Sequence, residues 1–360
     1  MESSMISGLR ETTLGPVAAS ERIDALDILR GLSLFGILAV NIYSFGGSAL
    51  ISGMEDSARF VDKLAYFIME YVFSLKTFTL FSFLFGLGFA VQMKRAEQSK
   101  RPFARFYLGK LLILLCIGVA HHLLLWQGDI LVLYSVLGFL LLLFRNAKPK
   151  TIALWFFVFL LIGCAIIVLG EFVIESFTAE GMHEYLKTLG AVFGSGSFMD
   201  TVAFRLYEFP QSIAILFIYQ GPLAFAMFLA GLYVGKADWL KRLDSLPWLG
   251  RFAAICGALG LTFSAARFLL SESPAGAFMI PLANLGMTGF YAASVFLLTR
   301  SQWFRKLSLP VALAGRMALS NYIGQSILCC IIFCGSGLGL YDSMGPMKLL
   351  GTTAAVYALN

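Results

Sequence analysis

Apolar runs close to twenty residues long alternate with short polar segments along the whole 360-residue chain. An α-helix rises about 1.5 Å per residue, so about twenty residues match a hydrocarbon core that is roughly 30 Å thick. The pattern therefore predicts an all-α polytopic transmembrane helix bundle with about nine to ten spans. The nine clearest runs are residues 26–47, 77–93, 106–127, 129–144, 151–170, 210–235, 248–270, 278–299 and 308–334.

The segments outside these runs have predicted roles of their own. Residues 1–22 are rich in Ser, Thr and Gly and are expected to form a disordered cytoplasmic N-terminus, which leaves 23–360 as the transmembrane domain. Residues 62–75 continue into the second span, and one helix of the combined length would measure about 45 Å, so 62–75 is predicted to lie at the membrane interface. Residues 171–209 are predicted to form an extracytoplasmic cap. The apolar stretch 347–359 is too short to span, so either the terminus dips into the membrane or a final span is truncated.

Lys and Arg residues concentrate in every second loop. The loops at 94–105, 145–150, 236–251 and 300–306 are basic, whereas the loops between them are acidic or nearly neutral. Cytoplasmic loops of membrane proteins carry the excess of Lys and Arg. The alternation therefore predicts that these four loops and the N-terminus are cytoplasmic.

The composition excludes several classes of function. Hydrophobic residues make up 59% of the chain and charged residues only 13%, and the mean hydropathy is +0.81, so the expected partner is the lipid bilayer. The net charge of +6 arises from clusters beside apolar runs, which fix topology and do not indicate nucleic-acid binding. The six cysteines form no CxxC pair and no zinc spacing with histidine, so neither a metal nor a permanently bound cofactor is expected. Gly231 and Gly235 form a small-xxx-small pair that is predicted to bring two helices close together.

Polar side chains recur at one depth of the predicted membrane. Counted from the cytoplasmic helix starts, Asn41 and Asn321 lie about 22 Å along their spans and His121 about 22–24 Å along its span. Lys76 falls near the same layer, and Asp129 lies at the short turn after the third span. Because polar groups in a bilayer are costly, this convergence predicts a functional site in the outer half of the membrane.

Each of these residues also has a structural explanation. Asn41 and Asn321 could be interhelical hydrogen-bonding residues, His121 could donate to a carbonyl, and Lys76 could extend its ammonium group to the interface. His122 points about 100° away from His121 on a helix, so the two histidines cannot face one cavity.

Two arginines are candidates for ligand binding. Arg30 follows Asp27 by three residues, so a local ion pair explains much of it, and its alternative role is to meet an anionic ligand that enters from the cytoplasm. Arg316 is placed about 15 Å along the ninth span with no carboxylate nearby in sequence, so it requires an acidic partner on another helix or a ligand.

The chemistry that fits these residues is limited. The sequence has no Ser/His/Asp order with a nucleophile elbow, no HExxH motif and no paired carboxylates. His121 could act as a general base towards a hydroxyl or an amine and be oriented by Asp129, while an amide such as that of Asn41 stabilises the oxyanion. A transporter that binds a solute at mid-depth is the alternative, although the sequence shows no internal repeat.

Several stretches resemble one known family. They are LDILRG at 26–31, GILAVNIYSFG at 36–46, KTFTLFSFLFGLG at 76–88, GVAHHLLLWQGDILVLYSVLG at 118–138 and GRMALSNYIGQSIL at 315–328. Their order and spacing resemble the YeiB-type bacterial membrane proteins, a family long catalogued as of unknown function. The resemblance implies a multi-pass protein of the bacterial cytoplasmic (inner) membrane, with a further C-terminal span.

The first span also resembles that of transmembrane acyltransferases. The shared pattern is an acidic residue with Arg-Gly, followed about ten residues later by Asn. This resemblance implies transfer of an acyl group from a cytoplasmic, acyl-CoA-type donor to an envelope sugar, a lipid or a small metabolite. It implies roles for Arg30 on the donor side, for Asn41 and for His121. The predicted catalytic residues are thus His121, Asp129 and Asn41, and the predicted substrate-binding residues are Arg30, Lys76, Arg316 and Asn321.

Overall fold

The computed structural model describes residues 24–47, 59–100, 102–175, 179–237, 247–271 and 273–360. These residues form helices and turns without a strand, so the predicted all-α class is confirmed. The prediction of disorder for residues 1–22 lies outside the described residues. The helices are α1 (Asp24–Gly46), α2 (Phe60–Ile68), α3 (Lys76–Gln98), α4 (Phe103–Leu124), α5 (Leu131–Leu143), α6 (Pro149–Glu175), α7 (Ala179–Leu189), α8 (Phe198–Tyr219), α9 (Gly221–Lys236), α10 (Leu249–Leu269), α11 (Ala275–Leu298), α12 (Gln302–Leu307), α13 (Leu309–Arg316), α14 (Ala318–Phe333) and α15 (Pro346–Leu359).

The chain is a multi-pass membrane protein. Within the described ranges, six helical segments are long and apolar enough to cross a bilayer by length and composition, and the number rises to eight if each of two bent helix pairs forms one span. The sequence predicts about nine to ten spans, and the helices of the described residues account for six to eight of them. Helix α5 has only 13 residues, or about 20 Å, which is shorter than the hydrocarbon core.

The first bent pair replaces the predicted span 210–235. Helices α8 and α9 meet at an angle of 51°. Helix α8 begins at Phe198, within the segment predicted as a cap, because Ser197 and Asp200 form a capping box that satisfies its first backbone N–H groups. Pro222 then occupies the first turn of α9, where its missing N–H has no cost.

The second bent pair replaces the predicted span 308–334. Helices α13 and α14 meet at 91°, so α13 crosses the start of α1 and does not run through the membrane in line with α14. A Cβ atom at Gly315 would collide with the Asp27 carbonyl, which shows how closely the two backbones approach. The break is therefore stabilised by a tertiary contact with α1.

Helix α2 is joined to α3 by an irregular segment. A π-helical turn at Met69–Phe73 follows α2, and Leu75 adopts a φ of 59° before α3 begins. Exposed apolar side chains such as Phe60 and Phe67 cover one side of α2. The interfacial position of 62–75 stays a prediction.

Helices α3 and α9 pack closely through small residues. A Cβ atom at Gly231 would collide with the Phe83 carbonyl, and one at Gly86 would collide with the Phe228 carbonyl. Gly235 makes an equally close approach to Ala90. The predicted approach of two helices at Gly231 and Gly235 is confirmed, and α3 is the partner helix.

The bundle has two chemically different ends, which we name the basic end and the cap end. At the basic end, Lys236 donates to the carbonyl of Arg145 at 2.7 Å, and Lys94 donates to the carbonyl of Gly235 at 2.6 Å. At the cap end, the segment 179–197 meets the end of α14, where Gly335 N–H donates to the Phe193 carbonyl at 2.8 Å. Helix α1 begins at the basic end and ends at the cap end.

Candidate functional site

The turn between α4 and α5 places two buried polar side chains next to each other. Helix α4 ends near His121, whose carbonyl accepts from the N–H groups of Leu125 and Trp126, both at 2.9 Å. Asp129 Oδ2 accepts from Val132 N–H at 2.9 Å and so caps the start of α5. This capping bond leaves Oδ1 of the same carboxylate directed towards α4.

His121 lies between a carboxylate and a hydroxyl group. Its Nδ1 is 2.9 Å from Asp129 Oδ1, and its Nε2 is 2.9 Å from Ser326 Oγ on α14. All three side chains are buried. The Nδ1–Oδ1 contact is close but poorly angled for a hydrogen bond, as is common in catalytic groups without substrate.

The carboxylate determines which imidazole nitrogen carries the proton. A carboxylate next to Nδ1 favours the tautomer that is protonated there, which leaves the Nε2 lone pair facing Ser326. The Ser326 hydroxyl lies 3.2 Å from the Tyr322 carbonyl as well, so it can donate to either acceptor. Ser326, His121 and Asp129 together have the connectivity of a nucleophile, a general base and an orienting acid.

Tyr322 covers the imidazole. Its ring centroid lies 4.9 Å from that of His121. The Tyr322 hydroxyl is buried next to the backbone of Ile130. Tyr322 precedes Ser326 by one helical turn, so α14 presents both side chains to His121.

A mainly apolar cavity lies on one side of this group. Its volume is about 230 Å³, and its lining runs from Arg30 and Gln92 near the basic end to Ile130, Leu131 and Tyr322. A neighbouring groove of about 310 Å³ shares Gln92 with this cavity and adds Lys110. The Lys110 ammonium donates to Gln92 Oε1 at 2.6 Å. We call the cavity and the groove together the basic-end cavity.

A second cavity lies towards the other end of the molecule. Its volume is about 320 Å³, and Trp126, Gln127 and Gly128 form part of its lining together with the buried Arg205 of α8. Aromatic side chains of the segment 179–197, including Phe193, form another part. We call it the cap-end cavity.

One short segment contributes to both cavities. Residues 126–128 line the cap-end cavity, and residues 130–131 line the basic-end cavity. Asp129 stands between the two sets, and its partner His121 is buried behind Tyr322. We call residues 126–131 the septum, because the segment separates two cavities that extend towards opposite ends.

The structure places Arg30 and Asn41 on one stripe of α1. Arg30 donates to Asp27 Oδ1 at 3.0 Å, as its spacing predicts, and it also lines the basic-end cavity beside Leu34 and Ile37. Asn41 is half-buried and follows Ile37 by one helical turn, so it continues the same face towards the cap end. Among the described residues, no hydrogen bond of the His121 group includes Asn41.

Lys76 has a local role. Its buried ammonium group donates to the Glu70 carbonyl at 2.9 Å in the π-helical turn before α3. It therefore stabilises the irregular join between α2 and α3. This contact places Lys76 apart from the group formed by His121, Asp129 and Ser326.

The predicted depths of Arg316 and Asn321 are wrong, because they assume one straight ninth helix. Arg316 Nε lies 3.2 Å from Asp27 Oδ2 at the beginning of α1, so it has the acidic partner that the sequence required. Asn321 lies in the first turn of α14, and its amide donates to the Ala314 carbonyl at 3.0 Å across the break. Both residues hold α13 and α14 in position near the basic end.

His122 faces away from His121, as predicted. Its buried ring packs against Phe209 of α8 in a T-shaped contact with centroids 4.9 Å apart. In the part of the chain that the structure describes, no cluster of His, Cys, Asp or Glu side chains could hold a metal ion.

Ser326 and Tyr322 are the residues that the sequence analysis missed. Counted along a straight span from Lys306, Ser326 would lie about 30 Å up, near the far surface. The break at Met317 takes more than half of that path out of line with α14 and lowers Ser326 to the level of His121. The signal in the sequence was the pair Tyr322 and Ser326, one turn apart in the stretch NYIGQS.

Comparison with known proteins identifies relatives along nearly the whole chain. A family profile described as "Protein of unknown function (DUF418)" matches residues 234–360. The chain is 32% identical to the uncharacterised protein YxaH of Bacillus subtilis strain 168, over 97% of this chain and 90% of that protein. It is 27% identical to the uncharacterised protein YeiB of Escherichia coli K12, over 94% of this chain and 90% of that protein. No solved structure matches the chain.

Proposed function

The chain belongs to the DUF418 family of YeiB-type membrane proteins, and we propose that it transfers an acyl group from a donor in the basic-end cavity to an acceptor in the cap-end cavity. The observation that carries this proposal is the position of the Ser326–His121–Asp129 group at the septum. A reaction between substrates that arrive from opposite sides requires a reactive group that both can reach.

The basic-end cavity has the features of a donor site. Arg30 and Lys110 supply positive charge near the basic end, and apolar side chains line the remainder of the path to Tyr322. Guanidinium and ammonium groups bind phosphates, and an apolar channel accepts an acyl chain. These features suit an acyl-CoA-type donor. The excess of Lys and Arg at this end supports a cytoplasmic location for it, in a protein that we propose lies in the bacterial inner membrane.

The proposed reaction has two steps. In the first, His121 Nε2 takes the proton of Ser326 Oγ, the oxygen attacks the thioester carbonyl, and the carbon–sulfur bond breaks as the thiol leaves with that proton. In the second, an acceptor hydroxyl or amine gives a proton to His121 and attacks the acyl-serine carbonyl. Ser326 then recovers its proton as the new ester or amide departs. Asp129 orients His121 and stabilises the imidazolium in both steps.

Asn41 is the proposed stabiliser of the oxyanion. It lies on the same stripe of α1 as the cavity-lining Leu34 and Ile37, one turn nearer to the cap end. An amide N–H donor near a developing oxyanion lowers the barrier by about 3 kcal/mol in known enzymes.

The test is acylation of Ser326. The purified full-length protein in lipid nanodiscs, mixed with an acyl-CoA but no acceptor, should release one equivalent of free thiol and gain the mass of one acyl group on the peptide that contains Ser326. Ser326→Ala should abolish both signals, because it removes the nucleophile, whereas the neighbouring Ser320→Ala should retain them. Thiol release that is unchanged in Ser326→Ala would contradict a covalent intermediate at this position.

Transport is the second candidate, and the two bent helix pairs favour it. Transporters often form their binding sites at discontinuous helices, and α8–α9 and α13–α14 are bent by 51° and 91°. The septum distinguishes the two candidates. A transporter must open it to let the solute pass, whereas acyl transfer leaves the donor's thiol product on the side from which the donor came.

A further inference from the structure

The cap-end cavity contains a buried positive charge whose neighbours are the thiols of Cys330 and Cys334 and not carboxylates. Arg205 on α8 is only 2% exposed. In the part of the chain that the structure describes, no carboxylate lies within 4.0 Å of its guanidinium group. A buried charge without a carboxylate or other strong anion beside it costs several kcal/mol, so an anionic ligand in this position would stabilise the guanidinium group.

The contacts of Arg205 account for only part of its hydrogen-bonding capacity. Its Nη1 donates to the Leu124 carbonyl at 3.0 Å and lies 3.4 Å from Thr201 Oγ1. The Leu124 contact stabilises the end of α4, where the helix dipole supplies about half a negative charge at most. The guanidinium carbon lies 5.2 Å from the Phe193 ring centroid. The Nε–H group is buried and has no hydrogen-bond partner among the described residues.

Other polar atoms around the same cavity are also unsatisfied. The indole Nε1 of Trp126 and the side-chain oxygens of Gln127 and Gln220 are buried without hydrogen-bond partners in the described structure. All three residues line the cavity together with Arg205. Buried polar groups in native proteins are almost always paired, so several orphans around one cavity indicate a polar ligand.

The lining defines the chemistry of that ligand. Arg205 Nε–H and Trp126 Nε1–H are donors suited to an oxyanion, and the two glutamine oxygens are acceptors suited to hydroxyl groups. The rings of Phe193 and Tyr341 provide flat apolar walls, against which the faces of a sugar can pack. A volume of about 320 Å³ is in the range of small-molecule sites.

We propose that the cap-end cavity binds an anionic sugar or polyol, whose phosphate or carboxylate group pairs with Arg205 and whose hydroxyl groups meet Gln127 and Gln220. That this ligand is the acyl acceptor rests on the proposed function. The binding itself does not depend on that function. Trp126, Gln127 and Gly128 line this cavity and directly precede Asp129 in sequence, so a ligand there would lie against the septum.

Binding is tested on the full-length protein in nanodiscs by calorimetry, with glucose 6-phosphate as the probe. Glucose 6-phosphate should bind, inorganic phosphate should compete with it, and uncharged glucose should bind at least about tenfold more weakly, because it lacks the charge-assisted hydrogen bonds. Glucuronate in place of glucose 6-phosphate distinguishes a carboxylate ligand from a phosphate ligand. Absence of binding by both anions would overturn the proposal.

Two variants connect the binding to Arg205. Arg205→Gln should weaken binding at least about tenfold, whereas Arg267→Gln, which breaks the ion pair of Arg267 with Glu171 at 3.2 Å, should leave it unchanged. Because Arg205→Gln may fail to fold, the parent protein supplies a second measurement. Cys334 lines the same cavity, so glucose 6-phosphate should slow its alkylation at least about fivefold, while Cys116 reacts at an unchanged rate. The proposed site would be overturned if both arginine variants bound glucose 6-phosphate with equal affinity. It would also be overturned if glucose 6-phosphate did not change the rate of Cys334 alkylation.

The same measurement separates this proposal from the reaction. Ser326→Ala should bind glucose 6-phosphate as tightly as the parent protein does, because Ser326 is not among the residues that line the cap-end cavity. If the protein binds the anion but forms no acyl-serine, the anion site is retained and its role as the acceptor site is removed. If the protein forms an acyl-serine but does not bind the anion, the proposed reaction is retained and the anion site is overturned.

Discussion

At the scale of single residues, His121 is held by groups from two distant parts of the chain. Asp129 follows it by only eight residues, whereas Ser326 is 205 residues away in sequence. The carboxylate and the hydroxyl group occupy the two ring nitrogens, and Tyr322 covers one face. Such a setting fixes both the orientation and the tautomer of the ring. It makes His121 the residue whose replacement is most informative.

We expect His121→Gln to insert and fold normally and to lose about 10²–10⁴-fold in turnover, because glutamine keeps hydrogen-bonding capacity but cannot accept the proton. The measurement is thiol release from an acyl-CoA in the presence of an acceptor. His122→Gln is the control, since that ring packs against Phe209 and away from the site. Asp129→Asn should also lower turnover, because an amide that caps Val132 through its oxygen turns its N–H towards Nδ1 and favours the wrong tautomer of His121. Full activity of His121→Gln would remove the proposed general base.

The sequence was sufficient to predict that His121 and Asp129 lie close together. His121 and Asp129 are joined by a short turn, so their proximity could be predicted without a fold. Ser326 could not be found in the same way, because its depth depends on the break between α13 and α14. That break arises from contact of Gly315 with the backbone of α1, and no sequence signal near Met317 reports a contact with residue 27.

At the scale of helices, two kinds of contact determine the geometry that the site requires. Charged contacts hold α13 across the start of α1, where Asp27 pairs with both Arg30 and Arg316. Glycine contacts bring α3 and α9 together at Gly86 and Gly231. The charged contacts determine the depth of α14 in the bundle. The glycine contacts pack α3 against α9, and α3 lines the basic-end cavity.

Arg316→Ala should lower thermal stability in detergent more than Arg305→Ala does. Arg316 lies 3.2 Å from the nearly buried Asp27 carboxylate, whereas the exposed Arg305 side chain lies on α12. Because Arg316 is itself partly exposed and Asp27 keeps Arg30, the expected loss is about 1 kcal/mol. Equal melting temperatures of the two variants would show that the contact with Asp27 does not hold α13.

Gly231→Ala should destabilise the protein by about 1–3 kcal/mol, because the added methyl group would collide with the backbone of α3. Gly109→Ala on α4 is the matched control, since no atom lies within 4 Å of its added Cβ. That control should be neutral or slightly stabilising, because alanine favours helix. Thermal unfolding of both variants in the same detergent provides the comparison, and equal effects would contradict close packing at Gly231.

At the scale of the whole molecule, the two ends differ in charge as the loops of the sequence predict. The all-α class and most helix positions followed from hydropathy, because apolar length is a direct requirement of the bilayer. The number of spans stays a prediction, because two apolar runs contain bends and α5 is shorter than the hydrocarbon core. Hydropathy gives the length of an apolar run but not the direction of its helix axis. The bends at Gln220 and Met317 therefore could not be predicted from it.

Cysteine labelling tests which end faces the cytoplasm. Ser195→Cys at the cap end should react with a membrane-impermeant maleimide in intact cells, and Ser99→Cys at the basic end should react only after lysis, because the Lys/Arg bias places it inside. Both positions are exposed, and the parent chain gives the background from its native cysteines. The reverse pattern would invert the topology and exchange the donor and acceptor sides.

The septum has an electrical consequence. Residues 126–131 are held at both ends, by the His121 carbonyl and by the Asp129 cap on α5, so the barrier between the cavities is a short, tied segment. In the proposed reaction, bonds are exchanged across this barrier while the thiol carrier, ions and water remain on their own sides. A bacterium could then modify molecules outside its inner membrane with cytoplasmic activated groups and lose none of the potential that drives its ATP synthesis.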